Sequence, residues 1–170
     1  MNQKEFMQVV APFQNKLFRL AKRLLVSKEE AEDATQEIMV KLWNKNKNLG
    51  AYTNVEAFAM TMTKNYCLDQ LKSKRVVNSG SLTIDYQDQS INLENQIEDQ
   101  NTLKWVEQCI EELTIAQRTI IQLREVEELE FSEIAKIVEM NETAVRVALS
   151  RARKTLKNKI EQIQNHGIKN

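Results

Sequence analysis

Apolar residues recur along most of this chain at the three- and four-residue spacing of helices. Phe6, Val9, Val10, Phe13, Leu17, Leu20 and Leu24 share one face, with Pro12 permitting a kink or a restart. Ser27-Lys28-Glu29-Glu30 reads as a capping box. It opens a helix whose Ala31, Ala34, Thr35, Ile38 and Leu42 point into a core. The Asn-, Lys- and Gly-rich stretch between Trp43 and Thr53 predicts a loop, with Trp43 itself assigned to the core. Thr53-Asn54-Val55-Glu56 reads as a second capping box, at the head of a long helix to about Lys74. The period then stops. Residues 76–100 are rich in Ser, Asn, Gln and Asp and cannot bury a core, so they predict a linker. Helix resumes near Asn101 with Leu103, Val106, Ile110 and Leu113 on one face. A third box, Thr114-Ile115-Ala116-Gln117, starts a helix carrying Ile120, Ile121 and Leu123.

The last third predicts a helix-turn-helix. Phe131, Ile134, Ala135 and Val138 form one stripe, and Val145, Leu149, Ala152 and Leu156 form the stripe that faces it. Between them Asn141 is a good N-cap, because its side-chain oxygen accepts an orphan backbone N–H. The corner position often held by Gly is Glu139, which must therefore tolerate a left-handed backbone or alter the turn. Thr143, Arg146, Val147, Ser150, Arg151 and Lys154 lie opposite the apolar stripe. From Thr143 to Lys159 there is no acid, while Arg146, Arg151, Arg153, Lys154, Lys157 and Lys159 are basic. A cationic helix presented this way suits a DNA major groove. A merely solvated basic face is the plainer alternative. The tail after Gln162 is expected to fray.

Charge changes the picture through its distribution, because the net charge is zero. Residues 1–75 carry thirteen Lys/Arg against eight Asp/Glu, and residues 76–100 carry five acids and no base. Residues 101–170 balance eleven against eleven, with every acid but Glu161 at or before Glu142. Two cationic surfaces separated by an anionic linker are what averaging hides. Three Gly and one Pro argue against an all-β fold. The fold class expected is all-α: two small helical domains, 1–75 and 101–165, joined by a flexible acidic linker, 76–100. Cys67 and Cys109 lie far apart without metal-ligand spacing, which fits a reducing cytoplasm. Met1 is followed by polar residues and no apolar run approaches about 18 residues, so neither a signal peptide nor a membrane span is expected.

Three segments, in order, carry a family resemblance. Glu32-Asp33-Ala34-Thr35-Gln36-Glu37-Ile38-Met39-Val40-Lys41-Leu42-Trp43 is similar to an acidic-Gln-Glu helix ending in Leu-Trp. Phe58 to Arg75, with Asn65 and Asp69 four residues apart before Lys72-Ser73-Lys74-Arg75, matches a second. The helix-turn-helix with its Arg151-Ala152-Arg153 close is the third. Over roughly residues 5–160 the chain resembles an extracytoplasmic-function (ECF) sigma factor of bacterial RNA polymerase, in the sigma-70 family. The resemblance implies sigma regions 2 and 4 alone, acting in the cytoplasm on core RNA polymerase and promoter DNA. It also implies an anti-sigma factor, soluble or membrane-bound, as a further partner. Thr114-Ile115 departs from the Leu-Pro common at the start of region 4. Ala144, Val147 and Ala148 stand where Thr, Ser and Arg are frequent, so the promoter sequence does not transfer from relatives.

The resemblance gives each polar surface an expected role. Asp33, Gln36, Glu37, Val40 and Asn44 become the polymerase-binding face, rather than only a solvated one. Thr61, Asn65, Asp69 and Lys72 share one stripe, which implies a surface for the melted −10 strand. Tyr52, Lys64, Lys74 and Arg75 (with Lys45 and Lys47) supply stacking and phosphate contacts, while Asp69 is weighed as structural. Thr143, Arg146, Val147, Ser150, Arg151 and Lys154 would read the −35 duplex, Val147 against a thymine methyl. The acidic linker reads either as a solvated tether or as a segment in the polymerase's RNA path. An enzyme is not expected. The single histidine, His166, lies in the tail, and there is no phosphate loop, metal cluster or Ser/His/Asp set, so no catalytic residue, metal or cofactor is assigned. The alternatives are an autonomous helix-turn-helix transcriptional regulator and a pure protein-interaction module.

Overall fold

The computed structural model of the chain describes residues 1–79 and 101–168. The acidic linker assigned to 76–100 therefore lies almost entirely outside the described residues. Every described element is a helix: α1 (Gln3–Leu25), α2 (Lys28–Asn44), a 3-10 turn (Asn46–Ala51), α3 (Val55–Ser79), α4 (Asn101–Glu111), α5 (Ile115–Ile121), a π turn (Gln122–Val126), α6 (Phe131–Val138) and α7 (Glu142–Ile168). None of them is long and apolar enough to cross a membrane.

The helix starts follow from side-chain capping. Asn2 and Glu5 form a reciprocal capping box at the head of α1, and Thr114 and Gln117 form another at α5. At α2 only half of the expected box forms. Ser27 accepts from the Glu30 amide at 3.3 Å, but the Glu30 carboxylate turns to Lys74. At α3 the cap is Asn54 rather than Thr53, its Oδ1 accepting from the Ala57 amide at 2.9 Å. Glu56, the expected partner of a Thr53 cap, pairs with Lys16 at 2.8 Å instead of reaching back along its own helix. Other boundaries also differ from the sequence reading. α1 runs unbroken through Pro12, half of the expected 43–53 loop winds into the 3-10 turn, and α7 stays helical past Gln162 to Ile168.

α1, α2 and α3 pack around Leu17, Leu20, Leu24, Ile38, Leu42, Leu49 and Met60, all buried. The two halves, expected as two small helical domains joined by a linker, pack against each other. α1 lies against α5 and the π turn, and α3 lies against α6. Leu123, Leu129, Ile134, Ala135, Ile137 and Val145 consequently join the N-terminal core. A second, smaller core of Ile110, Leu113, Ile120, Ile121, Leu149 and Ala152 belongs to the C-terminal half alone. Of the apolar stripes of α6 and α7, Ile134, Ala135, Val145, Leu149 and Ala152 are buried and Phe131, Val138 and Leu156 half-buried; what covers α6 was not legible in its period.

Candidate nucleic-acid interface

α7 is set against α6 by a corner built from two devices. Glu139 adopts φ 57°, ψ 44°, the left-handed conformation otherwise suited to Gly, and the Met140 amide donates to Ala135 O at 3.0 Å. Asn141 Oδ1 then accepts from the Ala144 amide at 2.7 Å. With Val145, Leu149 and Ala152 buried, helical geometry turns Thr143, Arg146, Val147, Ser150, Arg151 and Lys154 outward, and all six are exposed. At 1.5 Å per residue this face is about 17 Å long, a length that fits within a major groove.

The bases of α7 differ in what holds them. Arg146 stacks on the Phe131 ring at 4.7 Å and lies 3.8 Å from Glu142. Arg124 covers the same ring at 4.4 Å and donates to Leu129 O at 2.8 Å. Phe131 thus positions two guanidiniums at the start of α7. From sequence Phe131 is placed only in the apolar stripe of the helix-turn-helix, and Arg124 carries no assignment. Arg153 pairs with Glu125, Lys157 with Glu161 and Lys159 with Glu112. Among the described residues Arg151 and Lys154 have no carboxylate partner, so they are the cations most available to a phosphate.

The α3 surface is divided. Asn65, Asp69, Lys72 and Arg75 are exposed, and Thr61 is half-buried with its hydroxyl donating to Ala57 O at 2.9 Å. The Asp69 side chain makes no hydrogen bond or ion pair among the described residues, so the bracing contact weighed for it is not seen there. Tyr52 stacks on Phe58 with centroids 4.0 Å apart, leaving its outer face to solvent. Lys74 is paired with Glu30. Lys64 departs most from the sequence reading: it is 8% exposed, and its Nζ donates to Ile137 O on α6 at 2.8 Å. A lysine expected in a cationic track is held inside the contact between the two halves.

On α2, Asp33, Gln36, Glu37, Val40 and Asn44 are all exposed, with Glu37 3.6 Å from Lys41. Tyr66 of α3 lies against this face under Lys41, and burial, then Glu37, Cys67 and Asp33, push its hydroxyl above the usual range. Trp43 is not a core residue as expected. It packs edge-on against Phe6 and remains 37% exposed, so with Val40 it gives the acidic face an apolar component. No cluster of metal-ligating side chains occurs among the described residues. Burial raises both thiols, Cys67 to about 12, which disfavours the thiolate form of each.

Residues 9–76 match the family described as Sigma-70 region 2, and residues 103–156 match Sigma-70, region 4. Together the matches cover more than two thirds of the chain. The chain is 28% identical over 174 residues to the ECF RNA polymerase sigma-E factor of Haemophilus influenzae, covering 95% of this chain and 90% of that one. Its fold is similar to that of the sigma factor RpoE of Bartonella quintana, solved in complex with the anti-sigma factor NepR. There the TM-score is 0.71 at 22% identity, covering 93% of this chain and 98% of the other. It is also similar to CnrH, solved in complex with the cytosolic domain of CnrY, with TM-score 0.69 at 19% identity, covering 95% and 90%.

Proposed function

The chain belongs to the sigma-70 family, in its extracytoplasmic-function group, and on that premise we propose a division of labour between its two halves. As a sigma factor it directs promoter-dependent initiation by RNA polymerase, and the family consists of initiation factors rather than enzymes. The exposed acidic and apolar face of α2, with Asp33, Glu37 and Val40, docks on core polymerase. The α3 surface, with Asn65, Lys72 and Arg75, takes the −10 strand, and α7 enters the −35 major groove. The protein acts in the cytoplasm, and an anti-sigma factor holds it silent.

One observation carries this reading: a chain matching both sigma regions presents an acidic face on α2 and a cationic face on α7, on different halves. One serves protein docking, and the other phosphate and base contact. An autonomous regulator would need only the second. In vitro transcription with core polymerase tests the division. Promoter-dependent RNA is expected only when this protein is added. Asp33→Lys with Glu37→Lys should weaken core binding, whereas Arg146→Ala with Arg151→Ala should cost about 1–3 kcal/mol per lost base contact at the −35 site alone. Undiminished core binding by the first pair would remove α2 from the interface. An unchanged −35 dependence in the second would remove α7 from the groove.

A further inference from the structure

Two exposed faces of this molecule match each other in length, shape and charge. On α2, Asp33, Gln36, Glu37, Val40 and Asn44 lie along one stripe. On α7, Thr143, Arg146, Val147, Ser150, Arg151 and Lys154 form another. From Asp33 to Asn44 and from Thr143 to Lys154 the stripes are equally long, about 17 Å at 1.5 Å per residue. Each carries an exposed valine near its middle, Val40 at 55% and Val147 at 44%. Asp33 on one face, and Arg151 and Lys154 on the other, have no oppositely charged partner among the described residues.

Orientation decides whether the charges meet. With Val40 set on Val147 and the helices antiparallel, each step forward on α2 is a step back on α7. Asp33 then falls opposite Lys154, Gln36 opposite Arg151, Glu37 opposite Ser150 and Asn44 opposite Thr143. The match continues past the stripes, with Glu30 opposite Lys157 and Lys45, the C-cap of α2, opposite Glu142. Trp43 falls on Ala144, a small half-buried residue that leaves room for the ring. One like pair results, Lys41 opposite Arg146. Each of these bases has a carboxylate of its own, Glu37 at 3.6 Å and Glu142 at 3.8 Å. A parallel pairing on the same valines sets Asp33 on Met140, Glu37 on Ala144 and Lys47 on Lys154, so its charges meet nothing or repel. Only the antiparallel register is complementary.

We propose that the α7 face of one molecule docks antiparallel on the α2 face of a second copy of this chain, so that the free protein self-associates. The contact is heterologous. A pair joined by it leaves one acidic and one basic face uncovered, and further copies add head to tail. It is also weak. A face about 17 Å long on a helix about 10 Å across falls well short of the roughly 800 Å² per partner of a stable complex. Exposed ion pairs each contribute little and are screened by salt, so association should depend steeply on concentration and ionic strength. The association follows from the two faces themselves; only its consequence rests on the sigma reading. A covered α2 face is withheld from polymerase, and a covered α7 face from the −35 duplex. Concentrated free protein therefore shields both, and dilution or a stronger partner exposes them.

Sedimentation equilibrium of the full-length chain tests this. At low salt the average mass of the wild type should rise with concentration to about twice the monomer mass and beyond. At about 1 M salt, where the screening length is about 3 Å, it should fall back to the monomer. D33K/E37K and R151E/K154E should each stay monomeric, with helix content unchanged by circular dichroism. Mixed in equal amounts they should associate again, because the acidic α7 of one then meets the basic α2 of the other. That recovery separates a lost contact from a damaged fold. Wild type that stays monomeric at every concentration in low salt would overturn the proposal. So would association that persists in both variants, or a mixture that stays monomeric. Promoter-dependent transcription with core polymerase is measured at dilution, so the sigma reading stands or falls separately.

Discussion

The N-terminal and C-terminal halves are both three- or four-helix units, yet they bury their apolar residues in different ways. α1, α2 and α3 are long, pack on one another, and enclose Leu17, Leu20, Ile38 and Met60 largely by themselves. α5 and α6 have seven and eight residues, and the C-terminal half splits its apolar residues between two cores. Among the described residues six buried side chains form a core of its own; six others, including Ile134 and Ile137, complete the core of the N-terminal half. A half that borrows its core has a second stable use for the same surface. For that reason the two halves should differ in stability.

The largest expected effect sharpens that difference. Leu20→Ala and Ile137→Ala each remove a fully buried side chain and should each cost about 2–5 kcal/mol. The consequences should be distributed unequally. Leu20→Ala should destabilise the whole chain, because both halves rest on α1. Ile137→Ala should accelerate amide hydrogen exchange in α6 and α7 while leaving α1 to α3 protected. Equal acceleration throughout the chain by Ile137→Ala would mean that the halves unfold as one unit and that the C-terminal half has no weaker stability of its own.

How much of this was legible follows from what period and capping can encode. The helices, their buried stripes and the exposed faces of α2 and α7 were readable because each is fixed within one helix by a spacing of three or four. Asn141 as a cap and the Thr114 box were readable for the same reason. Glu139 was legible as an anomaly with two outcomes, a left-handed residue or an altered turn, and it takes the first. The burial of Lys64 was not, because it depends on a carbonyl 73 residues away. The Arg19–Glu127 contact, which joins α1 to the C-terminal half, was equally hidden. One signal bears on it: residues 101–142 carry ten acids against four bases, whereas residues 1–75 carry thirteen bases against eight acids.

A smaller effect compares the two thiols. Burial holds Cys67 in α3 up to about 12 against an ordinary value of 9.0, whereas Cys109 in the thinner half is raised by burial and Glu112 and lowered by Lys159. The sign follows from proton binding. Between pH 9 and 12 the folded protein keeps the Cys67 proton that the unfolded chain loses, so this contribution to stability is full below 9 and declines above it, by about 1.4 kcal/mol per pH unit. Stability measured against a Cys67→Ala reference should show that steeper decline. Native-state alkylation should reach Cys109 before Cys67. The reverse order would mean that the N-terminal core opens more readily than the C-terminal one.

The smallest effect acts at a single residue of the corner that defines the helix-turn-helix. Glu139 occupies the left-handed region with a full side chain, exposed and placed at the C-terminal end of α6. Both circumstances are unfavourable: the Cβ crowds its own carbonyl, and an anion sits at the negative end of the helix dipole. Glu139→Gly removes both costs, and part of the gain is returned because glycine has more freedom in the unfolded chain. The expected net stabilisation is about 0.5–1 kcal/mol, with no change in the contacts of Val145 or Leu149. If the C-terminal half opens on its own, the gain should appear as slower exchange of α6 and α7 amides, while those of α1 to α3 keep their rates. A stabilisation spread evenly over all seven helices would erase the contrast between the two halves. A loss of stability would show that the Glu139 side chain supports the corner, rather than being tolerated in it.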